Sequence, residues 1–304
     1  MCMRRRCTTV SALAFLAVAL LGVSYMSPAL PQENVYVAFL DDARKEMVNF
    51  APGVSLQRVI RPAFEKSALG WHEIDTRSLP VHMRWTIAFD GRNLGQVESQ
   101  AGSDADLSTS QTIVTPASAI PSVGSPSQVF GGVLGTPETK FRRPLVAVSK
   151  PYFRDPDGWK RTKLPDEISR LVRRTFRTEH AQVDRCKNEK IVERNWKYPD
   201  SALSFPVAYA SNKHSFLVET SLNAGECGYV SDPDDPLSGP WFFVSPSGGV
   251  RRIGSFMTLL DAGDYDNDGS SEVVFFLSQG ENTDGFVLYD AGFQMPVMFT
   301  WHYH

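Results

Sequence analysis

The chain has 304 residues, 42% of them hydrophobic and 21% charged, with a formal net charge of −3. That length buries a sizeable core in one large domain or two smaller ones. The near-balanced charge argues against a nucleic-acid partner, which requires a basic patch.

The N-terminus carries Arg4, Arg5 and Arg6, then an apolar run from Val10 to Val23. That run is shorter than the roughly 20 residues of a membrane span and suits the apolar core of a signal peptide. Ser27 and Ala29 supply small residues for cleavage, so residues 1–29 are expected to be a signal peptide, with an uncleaved anchor as the alternative. No cysteine follows the apolar run, which argues against a lipoprotein. Without residues 1–29 the chain loses three arginines and no acid, and the 28 remaining basic residues face 34 acidic ones. The protein is therefore expected outside the cytosol, in the periplasm, on the cell envelope or secreted, touching a membrane only if the segment is retained.

Residues 30–100 read as a β-rich part. "NVYVAFL" (Asn34–Leu40) has strand character, and "DDARKEMVNF" (Asp41–Phe50) predicts a short helix. In "VHMRWTIAFDGRNLGQVES", Asp90-Gly91 between two apolar-rich runs is a hairpin signal. Residues 101–139 are dominated by Ser, Thr, Ala, Pro and Gly and predict a long loop or linker.

Residues 140–304 read as a second β-rich part that packs with 30–100 as one domain. "RRPLVAVSKPYF" resumes strand character and "DPDG" (Asp155–Gly158) predicts a turn. The one clear helix spans 165–180. Pro165 suits its first position, and Asp166 and Glu167 favour the positive end of its dipole. Ile168, Leu171, Val172 and Phe176 share a face at helical spacing. "RRTFR" (Arg173–Arg177) reads as a solvated helix face. Six strand-like runs follow between Phe205 and Phe293, separated by turn residues. The pattern predicts a mainly β fold, an antiparallel sheet assembly with one helix.

Of the four cysteines, Cys2 and Cys7 fall in the signal region, leaving Cys186 and Cys227. Two cysteines in an exported chain read first as a disulfide. A zinc pair or a catalytic thiol has no neighbouring CxxC or CxxH to support it.

The densest chemistry lies in "DYDNDGSSE", residues 264–272. Asp264, Asp266 and Asp268 alternate, Gly269 follows, and Glu272 precedes the apolar run "VVFFL". Carboxylates packed so closely repel unless a cation sits among them. Alternate side chains converge when the chain wraps tightly, and Gly269 permits the wrap. The Ser270 carbonyl adds an oxygen and Glu272 closes the set. Hard oxygen ligands in this number suit calcium better than zinc or copper. An EF-hand is excluded: its twelfth loop position is Phe275 here, and a strand-like run follows in place of a helix.

The spacing resembles the calcium loop of FG-GAP/VCBS repeats, the units of integrin α-chain-type β-propellers, which show D-x-[DN]-x-D-G-x-x-D before an apolar strand. The match is strongest over residues 256–277. The resemblance implies a β-propeller-like fold and one structural Ca²⁺ held by Asp264, Asp266, Asp268, the Ser270 carbonyl and Glu272. Glu272 departs from the usual aspartate. The loop occurs once in this sequence, whereas a full propeller repeats it.

The sequence lacks H-E-x-x-H, G-x-S-x-G and a phosphate-cradling glycine loop. "SPSGGV" reads as a hairpin turn, and His302 and His304 as a terminal strand edge. No catalytic residue is assigned. The expected function is an exported calcium-binding protein with a structural or binding role at the cell envelope, its ligand an unidentified protein or glycan. The alternative is an envelope hydrolase on a propeller scaffold, with calcium as a staple.

Overall fold

The described chain opens on a strand, as "NVYVAFL" predicts. A computed structural model describes residues 34–42, 58–74, 83–103, 111–115, 120–121, 123, 143–151, 153–228, 230–278, 283–290 and 292–302. The expected signal segment, positions 43–50 of the expected short helix, and His304 lie outside the described residues. Asp41 and Asp42, read as the start of that helix, instead end the first strand, where Asp41 pairs with Val59.

Seven strands form the first antiparallel sheet: β1 (Val35–Asp42), β2 (Arg58–Ser67), β3 (Gly70–Glu73), β4 (Arg84–Phe89), β5 (Arg92–Ser103), β6 (Gln111–Thr115) and β7 (Leu145–Val148). Their order is β1-β7-β4-β5-β6-β2-β3, and β1 pairs with β2 as well, so the pairings run through six strands and return to β1. Asp90 and Gly91 join β4 to β5 with φ of 50° and 69°, the left-handed pair that a two-residue hairpin turn needs. Side chains alternate between two clusters. Ala38, Leu40, Ile87 and Ala147 gather on one side, Phe39, Ala88, Val146 and Val148 on the other.

The expected loop over 101–139 needs correction at 101–103 and 111–115, while 104–110, 116–119, 122 and 124–139 lie outside the described residues. Residues up to Ser103 continue β5, and Gln111–Thr115 form β6, which bridges β5 and β2. The run "TIVT" is β-branched, and a strand closed on both sides by partners does not need charge or aromatic anchors.

Next come β8 (Lys160–Arg161) and α1 (Asp166–Glu179). Pro165 sits one position before the helix, as its N-cap, with Asp166 and Glu167 in the first turn. Of the predicted apolar stripe, Ile168, Val172 and Phe176 are buried against Val218, Phe242 and Val244, and Leu171 is half-buried against the same cluster. On the basic face, Arg177 Nη2 donates to Asp200 Oδ1 (2.7 Å) and Tyr198 O (3.0 Å), tying the helix to a short 3-10 turn at Asp200–Ala202.

A ribbon of β9 (Val183–Lys187) and β10 (Lys190–Trp196) follows. The Cys186–Cys227 disulfide joins it to the loop after the next hairpin, as the cysteine count predicts. Gly225 forms a parallel bridge with Cys186, and at φ +93° a side chain there would run into the Cys186 carbonyl. The chain continues with β11 (Leu203–Ala210), β12 (Phe216–Leu222), β13 (Trp241–Val244) and β14 (Val250–Gly254), a sheet ordered β14-β13-β12-β11-β8. The "SPSGGV" stretch is the predicted hairpin turn between β13 and β14, where the Gly248 N–H donates to Ser245 O (2.9 Å).

Last comes a four-stranded antiparallel meander: β15 (Met257–Gly263), β16 (Glu272–Ser278), β17 (Thr283–Tyr289) and β18 (Val297–His302). Both its faces are buried. Val274, Phe276, Phe286 and Trp301 pack against Phe39 and Phe64 of the first sheet. Val273, Phe275, Leu277 and Tyr289 pack against Trp241 and Leu217 of the second. This is why "VVFFL" is apolar without alternation. The fold is mainly β, in antiparallel sheets with one α-helix among the described residues. No described helix is long and apolar enough to cross a membrane.

Candidate metal centre

The acidic loop connects β15 to β16 at the end of this doubly covered sheet. Its wrap follows from three aspartates that cap the turn from within. The Asp268 N–H donates to Asp266 Oδ1 (3.1 Å), the Gly269 N–H to Asp264 Oδ2 (3.1 Å) and the Ser270 N–H to Asp268 Oδ1 (2.8 Å). Asn267 and Gly269 take φ of 64° and 93°, and the latter value suits only glycine.

The wrap brings together a carboxylate oxygen from each of Asp264, Asp266 and Asp268, all within 4.8 Å of one another. Asp264 is fully buried and its Oδ1 has no hydrogen-bond partner. Glu272, the first residue of β16, is not part of this close group, but it is also fully buried. Its Oε2 accepts the Tyr265 N–H (2.7 Å), while its Oε1 has no partner. Ser270 is half-buried in the loop, where its N–H is committed to Asp268 and its carbonyl and hydroxyl are both oxygens it could offer.

Burial dominates the electrostatics. It pushes Glu272 up to about 9, with Asp266 and Asp268 adding to the rise. It also raises Asp264, again with Asp268 and Asp266 as repulsive neighbours. Two protein cations stand beside the loop. Arg154 Nε is 3.5 Å from Asp264 Oδ2, though that side chain is mostly exposed. Lys66 Nζ, from β2, is 3.0 Å from Asp266 Oδ2 and 3.9 Å from Asp290 Oδ2.

A second segment clamps the loop from outside. The Asp264 N–H donates to Arg154 O (2.8 Å). The Ser271 hydroxyl donates to Asp155 Oδ1 (2.6 Å) and accepts from the Asp157 N–H (3.2 Å). Asp155 also holds its own turn through the Gly158 and Trp159 amides (2.8 and 2.7 Å). Phe153 stacks on Tyr265 with ring centroids 5.8 Å apart, against Gly263, where any side chain would collide with the Phe153 ring. The "DPDG" turn is thus the support of the acidic loop.

The structure gathers Asp264, Asp266 and Asp268, sets Ser270 in the same turn, and places Glu272 beside them with one oxygen to spare. Sequence reasoning missed Lys66 and the Arg154–Asp157 clamp. "DPDG" marked the turn, but nothing in the sequence indicated what it touches, and Lys66 meets Asp266 only through the fold. The donor set fits a hard divalent cation. It offers only oxygens, several of them anionic, with buried oxygens that no protein group satisfies. Comparison with protein-family models, with curated proteins and with solved structures finds no match.

Proposed function

We propose that this chain is an exported β-protein in which one calcium ion fixes the β15–β16 connection, serving a structural or binding role at the cell envelope. The ligands are Asp264, Asp266, Asp268, the Ser270 carbonyl and Glu272. The observation that carries this reading is the pair of fully buried carboxylates, Asp264 and Glu272, each with an oxygen that no protein group satisfies. Ionised and unpaired, a buried carboxylate is costly, so burial keeps Glu272 protonated until a cation takes the place of the proton. The loop's position between two strands of a four-stranded antiparallel meander supports the resemblance to FG-GAP/VCBS repeats. The arginine-plus-apolar N-terminus and the Cys186–Cys227 disulfide support export, since disulfides persist in oxidising compartments.

The role follows from position. The loop abuts both the first sheet, through Lys66, and the Arg154–Asp157 segment, through Ser271 and Asp264. Fixing it therefore fixes a junction. Calcium binds the folded state alone and stabilises it by mass action. Millimolar calcium is expected to raise the melting temperature by a few degrees, and magnesium much less, because magnesium dehydrates reluctantly and needs a smaller octahedral cage. Asp266→Ala is expected to abolish that rise. Equal calcium shifts in wild type and Asp266→Ala would reduce the loop to an ordinary acidic turn.

A further inference from the structure

We infer that Lys66 is a built-in competitor for the metal: its ammonium neutralises Asp266 when calcium is absent and weakens calcium binding when it is present. The inference rests on the calcium reading above and concerns what sets the strength of that site.

Lys66 lies near the end of β2, in register with Val35 of β1 and Trp71 of β3. Its side chain is only 19% exposed, and Nζ lies 5.2 Å from the centre of the Trp71 ring. The ammonium is therefore held in place from both sides, by the ring and by Asp266 at 3.0 Å, with Asp290 at 3.9 Å. Two carboxylates, those of Asp266 and Asp290, face the ammonium at these distances. The Lys66 charge is thus fixed in place beside Asp266.

Calcium held by Asp266 Oδ2, the oxygen that Lys66 meets, would sit about 2.3–2.6 Å from that oxygen. The metal then comes within about 6 Å of Nζ, and at a water-like dielectric a single charge at that range repels a divalent ion enough to weaken binding about tenfold. The same charge has the opposite effect on the metal-free protein, where it ties β2 to the acidic loop and relieves part of the repulsion among the aspartates. Lys66 thus keeps the unloaded loop docked and sets the calcium concentration at which loading occurs.

The test is isothermal titration calorimetry of the full chain with calcium chloride, on wild type, Lys66→Met and Lys66→Arg. Methionine keeps the stem against Trp71 and removes the charge. Lys66→Met is expected to bind calcium about tenfold more tightly than wild type and to melt at a lower temperature without calcium. Lys66→Arg, which keeps the charge, is expected to return most of the weaker affinity. If wild type binds calcium and Lys66→Met binds it no more tightly, Lys66 is a plain surface partner of Asp266; this inference is overturned and the site reading stands. If neither binds calcium, both fall. Should Lys66→Met fail to fold, the wild-type Lys66 ammonium resonance is the second readout. Calcium saturation is expected to shift it, and an unchanged signal in a calcium-bound protein overturns the inference.

Discussion

In calcium-free buffer the protein is expected to lose stability as pH rises from 7 to 9, and saturating calcium is expected to remove that slope. The cause is Glu272, which burial holds protonated up to about pH 9 in the folded chain. In the unfolded chain it ionises near 4.5. A carboxyl whose folded pKa is raised contributes its full stability below the unfolded value and loses it as pH climbs through the folded one. The unfolded state binds fewer protons across this window, so the slope is about −1.4 kcal/mol per pH unit at its steepest, roughly 2–3 kcal/mol over two units. Asp261 and Glu219, both pushed up to about 7 by burial, act in the same sense but mostly below this window. His180, lowered by burial and by Arg252, acts in the opposite sense at still lower pH. Glu272 therefore dominates the range above 7, with a smaller contribution from Asp261 and Glu219 just above 7. A bound cation replaces the proton and leaves Glu272 ionised in both states, so the dependence disappears. Denaturant titrations at pH 7, 8 and 9, with chelator and with calcium, read this directly. Glu272→Gln is expected to be insensitive to pH in chelator. Parallel slopes with and without calcium would separate Glu272 from the metal.

Asp264→Asn is expected to weaken calcium binding on the order of 100-fold while leaving the metal-free protein at least as stable as wild type. Asp264 is the one ligand that is both fully buried and central to the close group. Its Oδ2 accepts the Gly269 N–H, a bond an amide oxygen keeps. The substitution removes a charge that burial already disfavours, so the metal-free fold has little to lose. It forfeits the anionic ligand, and that loss appears only when calcium is added. A destabilised metal-free Asp264→Asn with unchanged calcium affinity would assign Asp264 to the fold alone.

Much of this arrangement was written locally. Asp90-Gly91 names its turn because only left-handed residues close a two-residue hairpin, and α1 shows its buried stripe at helical spacing. The acidic loop was equally legible, since its candidate ligands lie at alternate positions of one short stretch held by its own amides. What escaped was non-local. Strand β2 reads poorly because Arg58 and Arg61 are buried within it. Arg61 lies near Asp41 (3.5 Å) and over the Trp301 ring. Pro62 sits in that strand beside a register shift opposite Val37 and Ala38, the kind of irregularity that tolerates proline. The ribbon of β9 and β10 hides for another reason. Its turn uses Asn188 and Glu189 at positive φ without glycine, and apart from Trp196 every residue of β10 is exposed, so no apolar alternation marks it. Lys66 and Ser271 carry no signal in their own neighbourhoods. Their roles exist only once the first sheet and the Arg154–Asp157 turn close around the loop.

Equilibrium dialysis of the full chain against radiolabelled calcium tests the central claim most directly, because it counts ions without relying on stability or activity. One ion per chain is expected, with a dissociation constant on the order of 0.1–1 mM, unaffected by equimolar magnesium and lost in Asp264→Asn. No bound calcium at concentrations about tenfold above that range, or equal binding by wild type and Asp264→Asn, would contradict it.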